Sequence, residues 1–160
     1  MDESSRTHDA TSKEKEGTRQ DTDLSDLLEE LRILLPGTTT LTAFLIILPF
    51  NAGFDAIRND EKAVYVITFL CSLVALILFT APAAHHRLQR PLQDRAGFKN
   101  LATRFMIAGL IPLSVALVLA AQLVLSTAIG DRLIAWSVTG ALGLFVLVLW
   151  WIFPLRTRDA

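Results

Sequence analysis

The residues able to carry proton or cation chemistry stand outside the long apolar runs of this sequence. Runs 38–54, 63–84, 105–129 and 133–155 contain no Asp, Glu, Lys, Arg or His. Coupled ion transport relies on titratable or anionic side chains facing a bundle interior. Here Asp55, Asp131, His85, His86 and Arg104 sit only at the ends of the runs. What the runs do contain is weaker chemistry. The first has Thr38, Thr39, Thr40, Thr42 and Asn51, and the third has Gln122. Hydroxyls and amides can coordinate a cation, yet in apolar helices they more commonly bond another helix or their own carbonyl ladder. Gln122 should therefore face the bundle or a subunit interface, since an amide left against hydrocarbon costs free energy.

Other chemistries find no constellation. Adjacent His85 and His86 point about 100° apart on a helix, too far to share a metal, and no ligand follows at suitable spacing. His86 and Arg87 read instead as a helix end at a membrane surface, where snorkelling, contact with the last carbonyls or pH sensing are the available roles. Cys71 is the single cysteine, so it can form neither an internal disulfide nor a zinc site. There is no Ser/His/Asp arrangement, phosphate-binding glycine loop or carboxylate pair. No enzyme, cofactor or metal site is expected. A net charge of −1 likewise speaks against nucleic-acid binding, which needs a basic surplus.

The elements that must hold these residues follow from hydropathy. In 160 residues with 52% hydrophobic content, four runs approach the roughly 20 apolar residues needed to span a bilayer core. The expected fold is an all-α, integral membrane four-helix bundle, with spans at about 38–54, 63–84, 105–129 and 133–155. The first is the shortest and most polar, and a re-entrant segment is its alternative. Lys and Arg cluster before span one (Arg32), between spans two and three (Arg87, Arg90, Arg95, Lys99, Arg104) and after span four (Arg156, Arg158), with only Arg58, Lys62 and Arg132 opposite. The positive-inside bias then places both termini in the cytoplasm, in a plasma (inner) membrane. Tyr65, Trp136, Trp150 and Trp151 fall near span ends, at the headgroup level that amphipathic rings favour.

Residues 1–22 are polar and charged, with too few apolar side chains to offset chain entropy, and read as a disordered tail. Between 23 and 35, Leu24, Leu27, Leu28, Leu31, Leu34 and Leu35 form one helical stripe opposite Asp26, Glu29, Glu30 and Arg32, an amphipathic helix. Thr22 or Asp23 can cap it. Its polar face is acidic rather than basic, which disfavours tight binding to anionic lipid. Packing on the cytoplasmic ends of the spans, contact with a partner, or lying at the interface are the options. Pro36-Gly37 should turn the chain into span one, because proline disfavours an α conformation at the residue before it; a continuous, kinked helix is the alternative. Gly109 and Pro112 suggest a kink in span three. Small residues in span two (Thr68, Cys71, Ser72, Ala75) and span four (Ser137, Gly140, Ala141, Gly143) suit close helix approach, with Ser137/Ala141 and Thr139/Gly143 at small-x-x-x-small spacing.

The runs ELRILLPGTTTLTAFLIILPF (30–50) and VYVITFLCSLVALILFTAPAAHHRL (64–88) resemble an uncharacterised family of small bacterial membrane proteins, common in actinobacteria and often labelled sodium:proton antiporters. The specific pieces are Arg32, Leu35-Pro36-Gly37, Leu48-Pro49-Phe50, Ala81-Pro82 and His86-Arg87. Many relatives are expected to carry glutamine near Thr39, where this chain departs. The resemblance implies a transport hypothesis and supplies no ion-binding residues. Small multidrug transporters, also four-span, depend on a glutamate within the first span that this chain lacks.

Two functions are therefore carried forward. One is a noncatalytic interaction or regulatory membrane subunit, working with the bilayer and with a second copy or a membrane partner. The other is a small oligomeric sodium/proton exchanger, whose best residues would be Asn51, Asp55, Gln122 and His86. The candidate functional or structural polar positions are Arg32, Pro36, Gly37, Thr39, Thr42, Asn51, His86, Arg87 and Gln122.

Overall fold

The structure, a computed structural model, describes Ser25, Leu27 and residues 29–54, 57–88 and 95–157. The tail expected at 1–22, the capping residues Thr22 and Asp23, and Asp55 lie outside these. Among the described residues there are helices and connecting turns and no strand. Helix α1 covers residues 29–47 and ends in a 3-10 turn, Leu48–Phe50. Helix α2 is Asn59–Leu88 and α3 is Arg95–Ile129. Helix α4 is Arg132–Leu147, prolonged by one π turn at Val148–Ile152 and by the short α5, Phe153–Thr157. Four helical stretches are long and apolar enough to cross a membrane: Glu29–Phe50, Asn59–His85, Asn100–Ile129 and Arg132–Arg156.

The turn expected at Pro36-Gly37 does not form, and the separate entry helix and first span are one continuous α1. The physical reason is phase. Leu31, Thr38, Thr42 and Leu45 are all buried, and they fall on one face only if the helix keeps its register through Pro36. Proline removes one donor from the ladder, but the threonines after it add others. Thr38 Oγ1 donates to the Leu34 carbonyl at 2.9 Å, and Thr40 Oγ1 to that of Pro36 at 2.8 Å. Continuity also lengthens the first apolar stretch to 22 residues, which removes the shortness that motivated a re-entrant segment.

Side-chain periodicity organises the packing. Tyr65, Thr68, Ser72, Ala75 and Phe79 line the buried face of α2, and Ala102, Met106, Leu113 and Ala116 that of α3, spacings of three, four and seven that make one helical stripe. The core cluster is Leu31, Ala75, Phe79, Met106 and Leu113, with Leu27, Leu34, Leu35 and Trp150 packed against it. The described leucines of the stripe, Leu27, Leu31, Leu34 and Leu35, thus pack on the bundle. Trp150 packs against that core as well.

Gly109 has a different use from the kink expected of it. A Cβ there would come within 2.6 Å of the Phe79 ring, so its missing side chain is what admits a fully buried aromatic between α2 and α3. Pro112 is accommodated within an unbroken α3. The α3–α4 connection is tight for local reasons. Gly130 takes φ +69°, the left-handed conformation that ends helices without a Cβ clash. Asp131 then caps α4, its side chain accepting from the amides of Leu133 (2.9 Å) and Ile134 (3.4 Å).

Candidate functional site

Hydroxyl groups cluster where α1 meets α2, and they are occupied. Thr38, Thr42, Thr68 and Ser72 are buried. Thr42 donates to the Thr38 carbonyl at 2.8 Å, Thr68 to that of Val64 at 2.7 Å and Ser72 to that of Phe69 at 2.9 Å. Bonding back to the preceding turn lets a small polar side chain sit in an apolar contact without an orphan donor. Tyr65 provides the cross-link: its hydroxyl donates to the Leu45 carbonyl of α1 at 2.8 Å, and its ring meets Phe54 edge-on at 5.1 Å. Tyr65, expected near the end of its span, is buried between helices, because α1 extends alongside the first turns of α2.

The second polar contact joins α3 to α4. Gln122 and Thr139 are both buried, and the Thr139 hydroxyl donates to the Gln122 amide oxygen at 2.5 Å. Gln122 accordingly faces the bundle, as its cost in hydrocarbon requires. Thr139 and Gly143 turn toward α3, where a Cβ at Gly143 would come within ordinary contact distance of Val118. Ser137, Gly140 and Ala141 are exposed, so of the two small-residue pairs only Thr139/Gly143 meets a neighbour.

The remaining candidate positions disperse. Arg32, Pro36, Gly37 and Thr39 are exposed on α1. Asn51 is exposed beyond its far end, where its amide donates to the carbonyls of Ile47 (3.4 Å) and Leu48 (3.5 Å) and closes the helix. His86 and Arg87 continue the backbone of α2 at the opposite end from Asn51, their side chains lying outside the described residues. Thr39, Thr42, Asn51 and Gln122 therefore do not share one cavity. Among the described residues, no three of His, Cys, Asp and Glu come together as a metal site. Cys71 is a free, partly buried thiol.

A cavity of about 240 Å³ opens where the start of α2, the end of α3 and the start of α4 converge, and of the candidate polar positions only Gln122 lines it. Its rim is ionic. Asp60 accepts from Arg58 Nε at 3.1 Å and from Arg132 Nη2 at 2.9 Å, tying the α1–α2 connection to the α3–α4 turn. Glu61, Ser126 and Trp136 complete the wall, and Gln122 forms part of the floor. Arg58 and Arg132 entered the sequence reading only through orientation. Their meeting on one carboxylate depends on two loops that are distant in sequence.

The chain's likenesses add a family and no activity. No curated protein matches it, and no solved structure does. A family model described as "Family of unknown function (DUF6328)" matches residues 13–154, which takes in three of the four apolar helices and all but the last two residues of the fourth. The chain belongs to that uncharacterised family.

Proposed function

We propose that the protein is a four-span inner-membrane protein, both termini cytoplasmic, that acts without catalysis as an interaction or regulatory subunit. The carrying observation is the state of the interior polar groups. Among the described residues no charged side chain is buried in the bundle core, and its buried hydroxyls and the Gln122 carbonyl oxygen are committed to backbone or helix–helix hydrogen bonds. Such groups act as glue between helices rather than as a relay. The orientation rests on the Lys and Arg distribution. The exposed course of α4, with only 6% of its apolar window buried by the chain itself, supports association in the membrane, either with a second copy or with another membrane protein.

Purification in a gentle detergent tests this reading. A stoichiometric companion, identical or different, is expected; a chain recovered alone at every concentration contradicts it. Sodium/proton exchange is the second reading, favoured by one observation: the Gln122 side chain lines a cavity that the carboxylates Asp60 and Glu61 also line. A sodium gradient imposed on reconstituted vesicles should leave the internal pH unchanged under the first reading and move it under the second.

A further inference from the structure

The cavity at the start of α2 is unevenly equipped. Both oxygens of Asp60 are engaged, one by each arginine. A guanidinium offers five N–H donors in a planar fork, so most donors of Arg58 and Arg132 are uncommitted among the described residues. At the floor, the Gln122 amide oxygen takes the Thr139 hydroxyl, while its nitrogen makes no hydrogen bond among the described residues. Gln122 lines the cavity, and that nitrogen is the donor it can offer there. Gln122 itself is 4% exposed, which makes this donor a built feature of the site rather than a surface group. Against these donors stands Glu61, half-buried in the wall and without an ion pair among the described residues.

The arrangement complements a zwitterion. Two cations sharing one carboxylate leave a positive surplus, and Glu61 supplies a separate negative charge. A group with several acceptor oxygens matches the arginine forks and the amide, and an ammonium with N–H donors matches Glu61. The volume, about 240 Å³, falls below the roughly 300–1,000 Å³ of pockets that enclose a whole drug-sized molecule. It suits a headgroup. Trp136, 45% exposed, stands at the rim, with Leu133 and Ile134 exposed beside it; tryptophan at this position is typical of the headgroup level of a bilayer, and the flanking apolar surface can carry acyl chains.

We propose that this cavity binds the headgroup of a phospholipid that has both a phosphate and a primary ammonium, as in phosphatidylethanolamine. The phosphate sits on Arg58, Arg132 and the Gln122 amide, and the ammonium on Glu61. The inference rests on the membrane placement proposed above.

The test uses the full chain in mild detergent, offered equal amounts of phosphatidylethanolamine, phosphatidylcholine and phosphatidylglycerol, with retained lipid counted by native mass spectrometry. About one phosphatidylethanolamine per chain is expected, preferred about tenfold over the other two, the scale of one charge-assisted hydrogen bond. Choline has no N–H for Glu61, and glycerol has no cation. Arg132→Gln should lower retention about tenfold. Glu61→Gln should keep phosphate binding but erase the preference over phosphatidylglycerol, with an unchanged melting curve showing that it folds. Equal retention of the three lipids, no retention, or an undiminished preference in Glu61→Gln overturns the proposal. Soluble phosphoethanolamine at matched concentration should leave the bound lipid in place; its binding where no lipid is retained would assign the site to a soluble zwitterion and overturn the lipid source. Resistance of the chain to alkaline extraction from membranes reports on placement separately, so an inserted chain that retains no lipid contradicts the site alone.

Discussion

Helices α2 and α4 carry similar sets of small residues at three- and four-residue spacing, yet they use them differently. In α2, Thr68, Ser72 and Ala75 are fully buried, because α1 lies against one side and α3 against the other. In α4, only Ala135 and Thr139 are buried, while Ser137, Gly140 and Ala141 face outward. A small-residue pattern thus says that a helix can be approached closely, and the rest of the chain decides whether it is. Within this chain, α2 is the centre of the bundle and α4 its margin.

Filling space on each helix should break or sharpen that contrast. The largest effect is expected at the α2–α3 contact. Gly109→Ala puts a methyl 2.6 Å from a Phe79 ring atom, and since the ring is enclosed on all sides, overpacking of about 1–3 kcal/mol is expected, read as a lower melting temperature in detergent. Gly109→Val should be worse, and Phe79→Leu in the Gly109→Ala background should recover part of the loss. On the margin, Gly140→Ala meets nothing within 4 Å, so its melting curve should stay within about 0.5 kcal/mol of the parent. Equal damage at the two glycines would sink the distinction.

The Gln122–Thr139 bond is the next step down, being the polar tie between centre and margin. A double-mutant cycle with Gln122→Leu and Thr139→Val should give a coupling of about 0.6 kcal/mol, up to about 1.7, the range found for hydrogen bonds between helices in a membrane. Strict additivity would mean that the pair does not hold α4 in place. The smallest effect is expected at the rim, where Asp60→Asn weakens two solvent-exposed ion pairs. Exposed pairs contribute little and are screened by salt, so any change in melting should shrink as ionic strength rises.

Much of this architecture could be read from residue order, for identifiable reasons. Helices α2, α3 and α4 follow from uninterrupted apolar runs. Gln122 was readable as bundle-facing because hydrocarbon makes an unpaired amide costly. Which of the two readings holds at Pro36-Gly37, a turn or a continuous helix, is not legible from local propensity, because it depends on the packing stripe that runs from Leu31 to Leu45. The burial of Tyr65 is not legible for the same reason, since it depends on where α1 ends. The ionic mouth was invisible, because nothing in the spacing of Arg58, Asp60 and Arg132 indicates that two loops meet. Phe79 fitting against Gly109 is likewise a matter of register between helices, which a single sequence does not carry.

The central claim is that this chain works in company. Its direct test is the protein mass of the particle purified in mild detergent, measured by light scattering with the detergent contribution subtracted. A second copy or a stoichiometric partner is expected, giving a mass well above that of one 17.7 kDa chain. A particle that stays at the mass of a single chain across a wide concentration range, with no companion, would contradict it.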